Sequence, residues 1–299
     1  MSEKTNFSRK WCVGRFCIAC VLALWSVPGR STPAASLSFA RELSEKKEHL
    51  AAALEYRRLT LLNEFPPAEI GAFYWMAAYE YGWVRRFEQA NRMLGEVENV
   101  SPDLENEVAL LRGELGMARR QFGEALFYWE TLAESDRPEP FRRYAARKGA
   151  SAALALGKVE QARQLLSRDP KPPSTAFQAI SAYEKGRDKS PLVGGFLGLI
   201  PGLGYAYSGE YANGLRSLLM NALCIWGVFE FAEREQWAGV ALVGFAELTF
   251  YSGSVYGGAD AAVRFNERRR GRTQQAIEGG ARFEPDLAAL PLLKLRFEF

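Results

Sequence analysis

The sequence predicts an all-α protein in which a solenoid of helical hairpins precedes a small transmembrane helical domain. Two observations carry this prediction. In the polar first half, four similar segments place an alanine at positions 53, 90, 125 and 162, which are 37, 35 and 37 residues apart. A regular step of that size is typical of helix-pair repeats. The second half contains glycine-rich apolar stretches close to the roughly 20 residues that cross a bilayer as a helix.

Composition limits the possible functions. The chain has 299 residues, a net charge of +3, four cysteines and a single histidine, His49. The small net charge gives no reason to expect a nucleic-acid partner. One histidine cannot build a zinc cluster, and no histidine-dependent triad or nucleophile motif accompanies it. The sequence therefore predicts no catalytic, cofactor-binding or metal-binding residues.

Residues 1–35 have the order of a secretory signal. Basic residues precede an apolar run from Phe16 to Val27, and Pro28, Gly29 and small residues follow. An apolar run of about a dozen residues is short for a membrane span. We therefore expect an export signal cleaved near Ala34 or Ala35, with an uncleaved N-terminal anchor as the alternative.

Residues 36–173 contain the four repeated segments. They read LAAALEYRRLTLL, FEQANRMLGEV, FGEALFYWETL and VEQARQLLSRD, and prolines separate the units. A proline ends the second helix of each pair because it cannot continue one. The second unit, with Tyr74, Ala77, Ala78, Tyr81 and Ala90, resembles the tetratricopeptide repeat family most closely. A non-repeating helical bundle is the alternative.

The resemblance to tetratricopeptide repeats implies a concave groove, lined by the first helix of each pair, that binds a protein or peptide. In the second repeat its candidate residues are Trp75, Tyr79 and Trp83, spaced four apart on one helix stripe. In the fourth repeat Tyr144 and Arg147 join them. Aromatic residues and arginine are frequent anchors of binding surfaces. The alternative is that these side chains pack against neighbouring helices.

After a polar linker at 174–190, residues 191–263 form the predicted membrane domain. It comprises a short or re-entrant helix followed by two spans, which run from Gly214 to Ala232 and from Ala238 to Gly258. Glycines four residues apart, at 194, 198 and 202 and again at 253 and 257, favour close helix packing in lipid. Residues 264–299 are a basic tail, and its alternating end LPLLKLRFEF predicts a terminal strand.

The glycine turn of this domain carries a second resemblance. Its residues are Pro201, Gly202, Gly204, Tyr207, Gly209, Gly214 and Leu215. Over residues 191–260 the pattern is similar to the small two-transmembrane-helix domain family. The resemblance implies a short or re-entrant helix, an interfacial turn and then a full span.

Three polar side chains, Arg216, Asn221 and Glu247, fall within the predicted spans. Ionisable groups at membrane depth are costly, so they indicate either a proton relay or a structural pairing, such as Glu247 with Asn221. With the repeats exported, and so periplasmic in a bacterium, three crossings would place the arginines after Arg264 in the cytoplasm. The positive-inside tendency favours that arrangement over two crossings.

The sequence as a whole predicts a non-enzymatic, membrane-anchored scaffold of the cell envelope. Its repeats would hold a protein or peptide partner, and its membrane domain would contact the lipid bilayer. The alternative is a small membrane transport or membrane-protein assembly component that its repeats regulate.

Overall fold

The computed structural model describes residues 33–62, 64–134, 136–285 and 293–296. These residues are predominantly helical, so the predicted all-α class is confirmed. The predicted signal segment up to residue 32 lies outside the described residues. Where they form helices, the order is α1 (Pro33–Glu45), α2 (His49–Leu59), α3 (Pro67–Trp83), α4 (Phe87–Val100), α5 (Glu105–Ala118), α6 (Phe122–Leu132), α7 (Glu139–Ala155), α8 (Val159–Ser167), α9 (Ala176–Lys185), α10 (Pro191–Leu197), α11 (Leu203–Tyr207), α12 (Tyr211–Glu233) and α13 (Trp237–Glu278).

The chain divides into two compact units, Met1–Met93 and Leu94–Phe299. The division falls inside α4, within the predicted repeat region, whereas the sequence predicts a domain linker at 174–190. In the second unit, the later repeat helices and the apolar helices form one body. Here α5 packs on α6, α6 on α7, and α7 on α8, while both α7 and α9 pack on α13.

The repeated segments coincide with helices. The segments begin at or within one residue of the starts of α2, α4, α6 and α8, and the alanines at 53, 90, 125 and 162 are all fully buried. A small side chain at such a position lets the neighbouring helix approach closely. A Cβ added to Gly116 of α5, for example, would lie 3.1 Å from Ala125 of α6. Membership of the tetratricopeptide repeat family stays a prediction.

One turn conformation joins the helices of every repeated pair. A residue with positive φ stands two positions before α2, α4, α6 and α8: Lys47, Arg85, Arg120 and Gly157, with φ from 58° to 74°. The following amide N–H donates to a carbonyl five residues back, as Gln121 does to Gly116 over 2.8 Å. This geometry is the Schellman ending of a helix. Glu235, with φ of 55°, repeats it between α12 and α13.

Two of the described helices, α12 and α13, are long and apolar enough to cross a membrane. Their most apolar 18-residue windows are only 11% and 6% buried within the protein. A core helix of a soluble protein would be mostly buried, so this exposure indicates membrane association, although length and composition alone are a weak indication. The structure continues α13 through the predicted boundary at residues 263 and 264, because no helix-breaking sequence stands there.

The segment before α12 forms a short helical hairpin, α10 and α11, and the number of membrane crossings stays a prediction. Helix α10 has seven residues, which extend only about 10 Å, and α11 is shorter still. Their outer ends meet, since the Ser190 N–H donates to the Tyr207 hydroxyl over 3.2 Å. The Lys189 N–H donates to Asn266 Oδ1 of α13 over 2.7 Å. This hydrogen bond holds the start of α10 next to Asn266 on the long helix.

The last turn of α13 docks on α7. Ser151 Oγ donates to Glu278 Oε1 over 2.7 Å, and Lys148 Nζ donates to Glu278 Oε2 over 3.1 Å. Gln274 Nε2 donates to the Ser151 carbonyl over 2.9 Å. Beyond this helix, strands β1 (Arg282–Pro285) and β2 (Leu293–Arg296) pair antiparallel, with Arg282 opposite Arg296. The second strand lies in the segment for which the sequence predicted one.

Candidate functional site

The aromatic stripe on α3 lies in the first unit and is only partly accessible. Trp75 is fully buried and stacks on Tyr79 with 5.8 Å between ring centroids. Trp83 is 59% exposed and stacks on His49 at 5.3 Å. The imidazole is held in turn by Glu80, whose Oε2 lies 2.6 Å from its Nδ1. Of the three predicted groove residues on this helix, Trp83 is therefore the one that a partner can contact broadly.

The predicted groove residues of the fourth repeat are buried in the second unit. Tyr144 is 1% exposed, and its hydroxyl donates to Glu114 Oε1 over 2.7 Å. Arg147 is also 1% exposed; its Nε donates to Asp169 Oδ2 over 2.6 Å, and its Nη2 donates to the Lys171 carbonyl over 2.8 Å. Both side chains therefore pack within the protein, which was the alternative to a groove position.

The glycine turn is built by close backbone contacts. Gly202 has φ of +87°, and a Cβ there would overlap the Gly214 carbonyl oxygen. A Cβ on Gly204 would lie 2.8 Å from the Gly258 Cα and would overlap the Gly194 carbonyl oxygen. The motif residues Gly202, Gly204 and Gly214 thus allow α10, α11, α12 and α13 to meet backbone to backbone. Tyr207 of the same motif accepts the Ser190 hydrogen bond described above.

The small-residue face of α13 is displaced by one residue from the predicted one. Gly253 has no atom within 4 Å of an added Cβ, and a Cβ on Gly257 would meet the Tyr205 ring. The residues of α13 nearest to the α10 glycines include Ser254 and Gly258, with Val255, Ala259 and Ala262 beside them. A Cβ added to Gly198 would lie 2.6 Å from the Ser254 carbonyl oxygen. Serine is small enough for this approach, and it adds a hydroxyl.

The Ser254 hydroxyl bridges the break between α10 and α11. It donates to the Gly198 carbonyl over 2.9 Å and accepts from the Gly202 N–H over 3.2 Å. The Tyr251 hydroxyl donates to the neighbouring Leu199 carbonyl over 3.1 Å. Buried backbone polar groups outside a regular helix need hydrogen-bond partners inside the protein. These two side chains of α13 supply them.

Ser254→Ala is expected to lower the free energy of unfolding by about 1–3 kcal/mol, because it leaves a carbonyl and an amide without partners. The serine is 1% exposed, so water cannot replace the lost hydroxyl without disturbing the packing. Thermal unfolding of the detergent-purified protein measures the effect. Ser252→Ala is the matched control, since Ser252 is exposed and bonds only to the Thr249 carbonyl of its own helix. Equal losses in the two variants would contradict the bridging role.

Glu210 joins the start of α12 to the arginines of α13. Its carboxylate accepts from Arg264 Nε over 3.0 Å and Nη2 over 2.7 Å, from Arg268 Nη2 over 2.8 Å, and from Asn213 Nδ2 over 2.9 Å. Hydrogen bonding from Arg264, opposed by desolvation and supported by Asn213 and Arg268, lowers the pKa of this carboxyl to about 2. At neutral pH the cluster is therefore charged and intact.

Glu210→Gln is expected to lower the free energy of unfolding at neutral pH by no more than about 1 kcal/mol, and the melting temperature falls with it. The two arginines are 43% and 52% exposed, so solvent screens the pair. Because the carboxyl pKa is depressed in the folded protein, its contribution is complete above about pH 4.5 and is lost as the pH falls toward 2. Melting curves of both proteins from pH 8 to pH 3 measure it. A difference that vanishes already near pH 6 would contradict the assignment.

The three polar residues of the predicted spans fall at two places. Arg216 and Asn221 line a cavity of about 510 Å³, together with Asn213 and Arg264. Asn221 Nδ2 donates to the Ser217 carbonyl over 2.7 Å, while its Oδ1 has no partner among the described residues. Glu247 lies beside Cys224 of α12, and among the described residues no hydrogen bond joins it to Asn221 and its Oε2 has no partner. These residues do not form a continuous chain of titratable groups.

No protein-family model, curated protein sequence or solved structure matches the chain. The described residues contain no group of three or more histidine, cysteine, aspartate or glutamate side chains that could hold a metal ion. The fold and the site therefore define the class of protein no more closely than an all-α chain with two helices that could cross a membrane.

Proposed function

We propose that the protein is a non-enzymatic, membrane-anchored scaffold whose helical repeats hold a protein or peptide partner at the membrane face. The observation that carries this proposal is the single helix α13. Its 42 residues extend about 63 Å, with an exposed apolar half and a second half docked on α7 and α9. A continuous helix of this kind would fix the repeat helices of the second unit to the membrane without a flexible linker.

The exposed side chains of the apolar half support the membrane part of the proposal. Leu242, Phe245 and Leu248 of α13 are 73%, 72% and 68% exposed, and Trp226 and Phe229 of α12 are 62% and 65% exposed. Soluble monomers rarely present contiguous apolar surfaces of this extent to water. Lipid is the solvent in which such a helix pair is stable.

Trp83 is the proposed contact residue for the partner. A photo-crosslinking amino acid at position 83 is expected to give a discrete crosslinked product in native membranes, and Trp83→Ala is expected to weaken co-purification of that product. Leu61 is the matched control position, since it is 73% exposed in the same unit but lies outside the stripe. Identical products from both positions, or none from position 83, would count against the scaffold. A phenotype that responds only to Glu247→Gln would favour the alternative of transport or membrane-protein assembly.

The orientation in the membrane is tested separately. The exported placement of the repeats stays a prediction, and the charge distribution favours the opposite one. On the side of the repeat helices, Lys185, Arg187 and Lys189 join five arginines between positions 264 and 272, whereas the loop between α12 and α13 carries only Arg234. Positive residues near span ends prefer the cytoplasm.

Single cysteines introduced at Ser181 and Gln275 are expected to react with an impermeant maleimide from one face of sealed membranes. A cysteine at Glu235 is expected to react from the other face. Labelling of positions 181 and 275 from opposite faces would contradict the two-crossing anchor, and which face labels decides between export and the cytoplasm.

A further inference from the structure

A basic pocket lies where the turn before α12 meets α9 and α13. It has a volume of about 560 Å³. The lining residues with polar side-chain atoms are Tyr183, Ser208, Arg268, Arg269, Arg272 and Thr273. Every charged side chain in its lining is an arginine, so the pocket attracts an anion.

Two groups in this pocket have no partner among the described residues. Ser208 is 3% exposed, and its Oγ is buried without a hydrogen bond there. Arg272 forms no ion pair in the same part of the chain, whereas Arg268 binds Glu210 over 2.8 Å and Arg269 binds Asp188 over 2.5 Å. A buried hydroxyl without a partner is costly. A hydroxyl donor beside an uncompensated guanidinium suits a ligand that carries several acceptor oxygens and a negative charge.

The position of the pocket along the helices corresponds to the lipid headgroups. Ser208 lies three residues before Tyr211, the first residue of α12. Side chains on a helix lean toward its N-terminus, which for α13 is the apolar end, so Arg268 and Arg272 lean toward the lipid. The arginine fork matches the oxygens of a phosphate group, and basic pockets at this level between membrane helices hold phosphate headgroups.

We propose that this pocket binds a phosphate group, presented either by the headgroup of an anionic phospholipid or by a soluble phosphate ester. Arg272 supplies the uncompensated charge, Ser208 donates a hydrogen bond, and Arg268 borders the phosphate while remaining paired with Glu210. The inference rests on the proposed placement of α12 and α13 in a bilayer. It adds a specific ligand site to what would otherwise be a passive anchor.

The test uses the full-length protein in nanodiscs that contain phosphatidylcholine and phosphatidylglycerol. After extraction into mild detergent, native mass spectrometry counts the lipids that remain bound. The wild-type protein is expected to retain phosphatidylglycerol selectively. Arg272→Gln is expected to weaken that retention about tenfold, the factor typical for the loss of one charge-assisted hydrogen bond, and Ser208→Ala by a smaller factor.

Arg270→Gln is the matched control, since it removes the same charge from the same helix but does not line the pocket. Equal weakening by Arg270→Gln and Arg272→Gln would overturn the site, because general attraction to an anionic surface would then explain the retention. A second arm titrates sn-glycerol 3-phosphate into protein held in detergent free of anionic lipid. Saturable binding that requires Arg272 assigns the site to a soluble ester, whereas retention of phosphatidylglycerol alone assigns it to lipid.

Binding of neither probe would overturn the proposal. Failure of the protein to enter nanodiscs at all would instead contradict the membrane anchor, so the two failures are distinguishable.

Discussion

Gly258→Leu is expected to disrupt the packing of α10 and α11 on α13, with a loss of about 3 kcal/mol in the free energy of unfolding. A Cβ at this position would lie 3.0 Å from the Gly204 Cα and would overlap the Gly194 carbonyl oxygen. Both neighbours are backbone atoms, which cannot rotate away as a side chain would. The whole of α10 and α11 must therefore move to accommodate the new side chain. Size-exclusion profiles and thermal unfolding in detergent measure the loss.

Gly253→Leu is the control for this prediction, because an added Cβ at Gly253 meets nothing within 4 Å. The same residue type is thereby introduced at a nearby position of the same helix. We expect this variant to retain the wild-type melting temperature. A similar loss in both variants would mean that leucine is unfavourable anywhere on this helix, and the backbone contact would not be the cause.

Arg147→Met is expected to produce the second large effect, a loss of about 3–5 kcal/mol. It leaves the Asp169 carboxylate, which is fully buried, without its strongest partner. The ion pair that remains joins Arg143 Nε to Asp169 Oδ1 over 3.4 Å, which is longer than the 2.6 Å between Arg147 and Asp169. The variant also removes a hydrogen bond of 3.4 Å to the Glu278 carbonyl, so the end of α13 loses a contact with α7. Thermal unfolding and hydrogen exchange of residues 270–280 measure the two consequences.

Arg142→Met is the matched control on the same helix, since Arg142 forms no ion pair among the described residues. We expect it to cost less than 1 kcal/mol, as is usual for substitutions away from such networks. Unchanged protection of residues 270–280 in Arg147→Met would show that the long helix is held on the repeats by other contacts.

Local patterns were readable from the sequence, and tertiary contacts were not. The alanines at 53, 90, 125 and 162 are buried as predicted, because helix-pair packing depends on a short-range period. Whether the stripe at Trp75 faces a groove or the interior depends on distant chain segments, so its burial was not predictable. Tyr144 and Arg147 illustrate the same limit: their partners Glu114 and Asp169 lie 30 and 22 residues away.

The apolar second half of the chain shows a different limit. Counting glycines selected positions 253 and 257, but the contact face uses Ser254 and Gly258, because serine can also pack closely and supplies a hydroxyl. A search for small residues of any kind would have found the pair. The charge beyond Arg264 suggested a separate tail, yet arginine, glutamine and glutamate favour helix, and the single glycine between Arg264 and Gly279, Gly271, does not interrupt it. The helix therefore continues to its docked end.

Because α13 is unbroken, the rotation of its exposed apolar half about the helix axis is fixed relative to that of its docked half. Each residue of a helix advances the direction of its side chains by about 100°, so a one-residue insertion between Phe265 and Gln274 would turn Glu278 away from Ser151. An insertion of seven residues, close to two full turns, would restore the direction of the Glu278 side chain and move the docked end of the helix by about 10 Å along its axis. Changes in the length of this helix that preserve its docking should therefore come in steps close to whole turns, and homologous chains should differ there by three, four or seven residues.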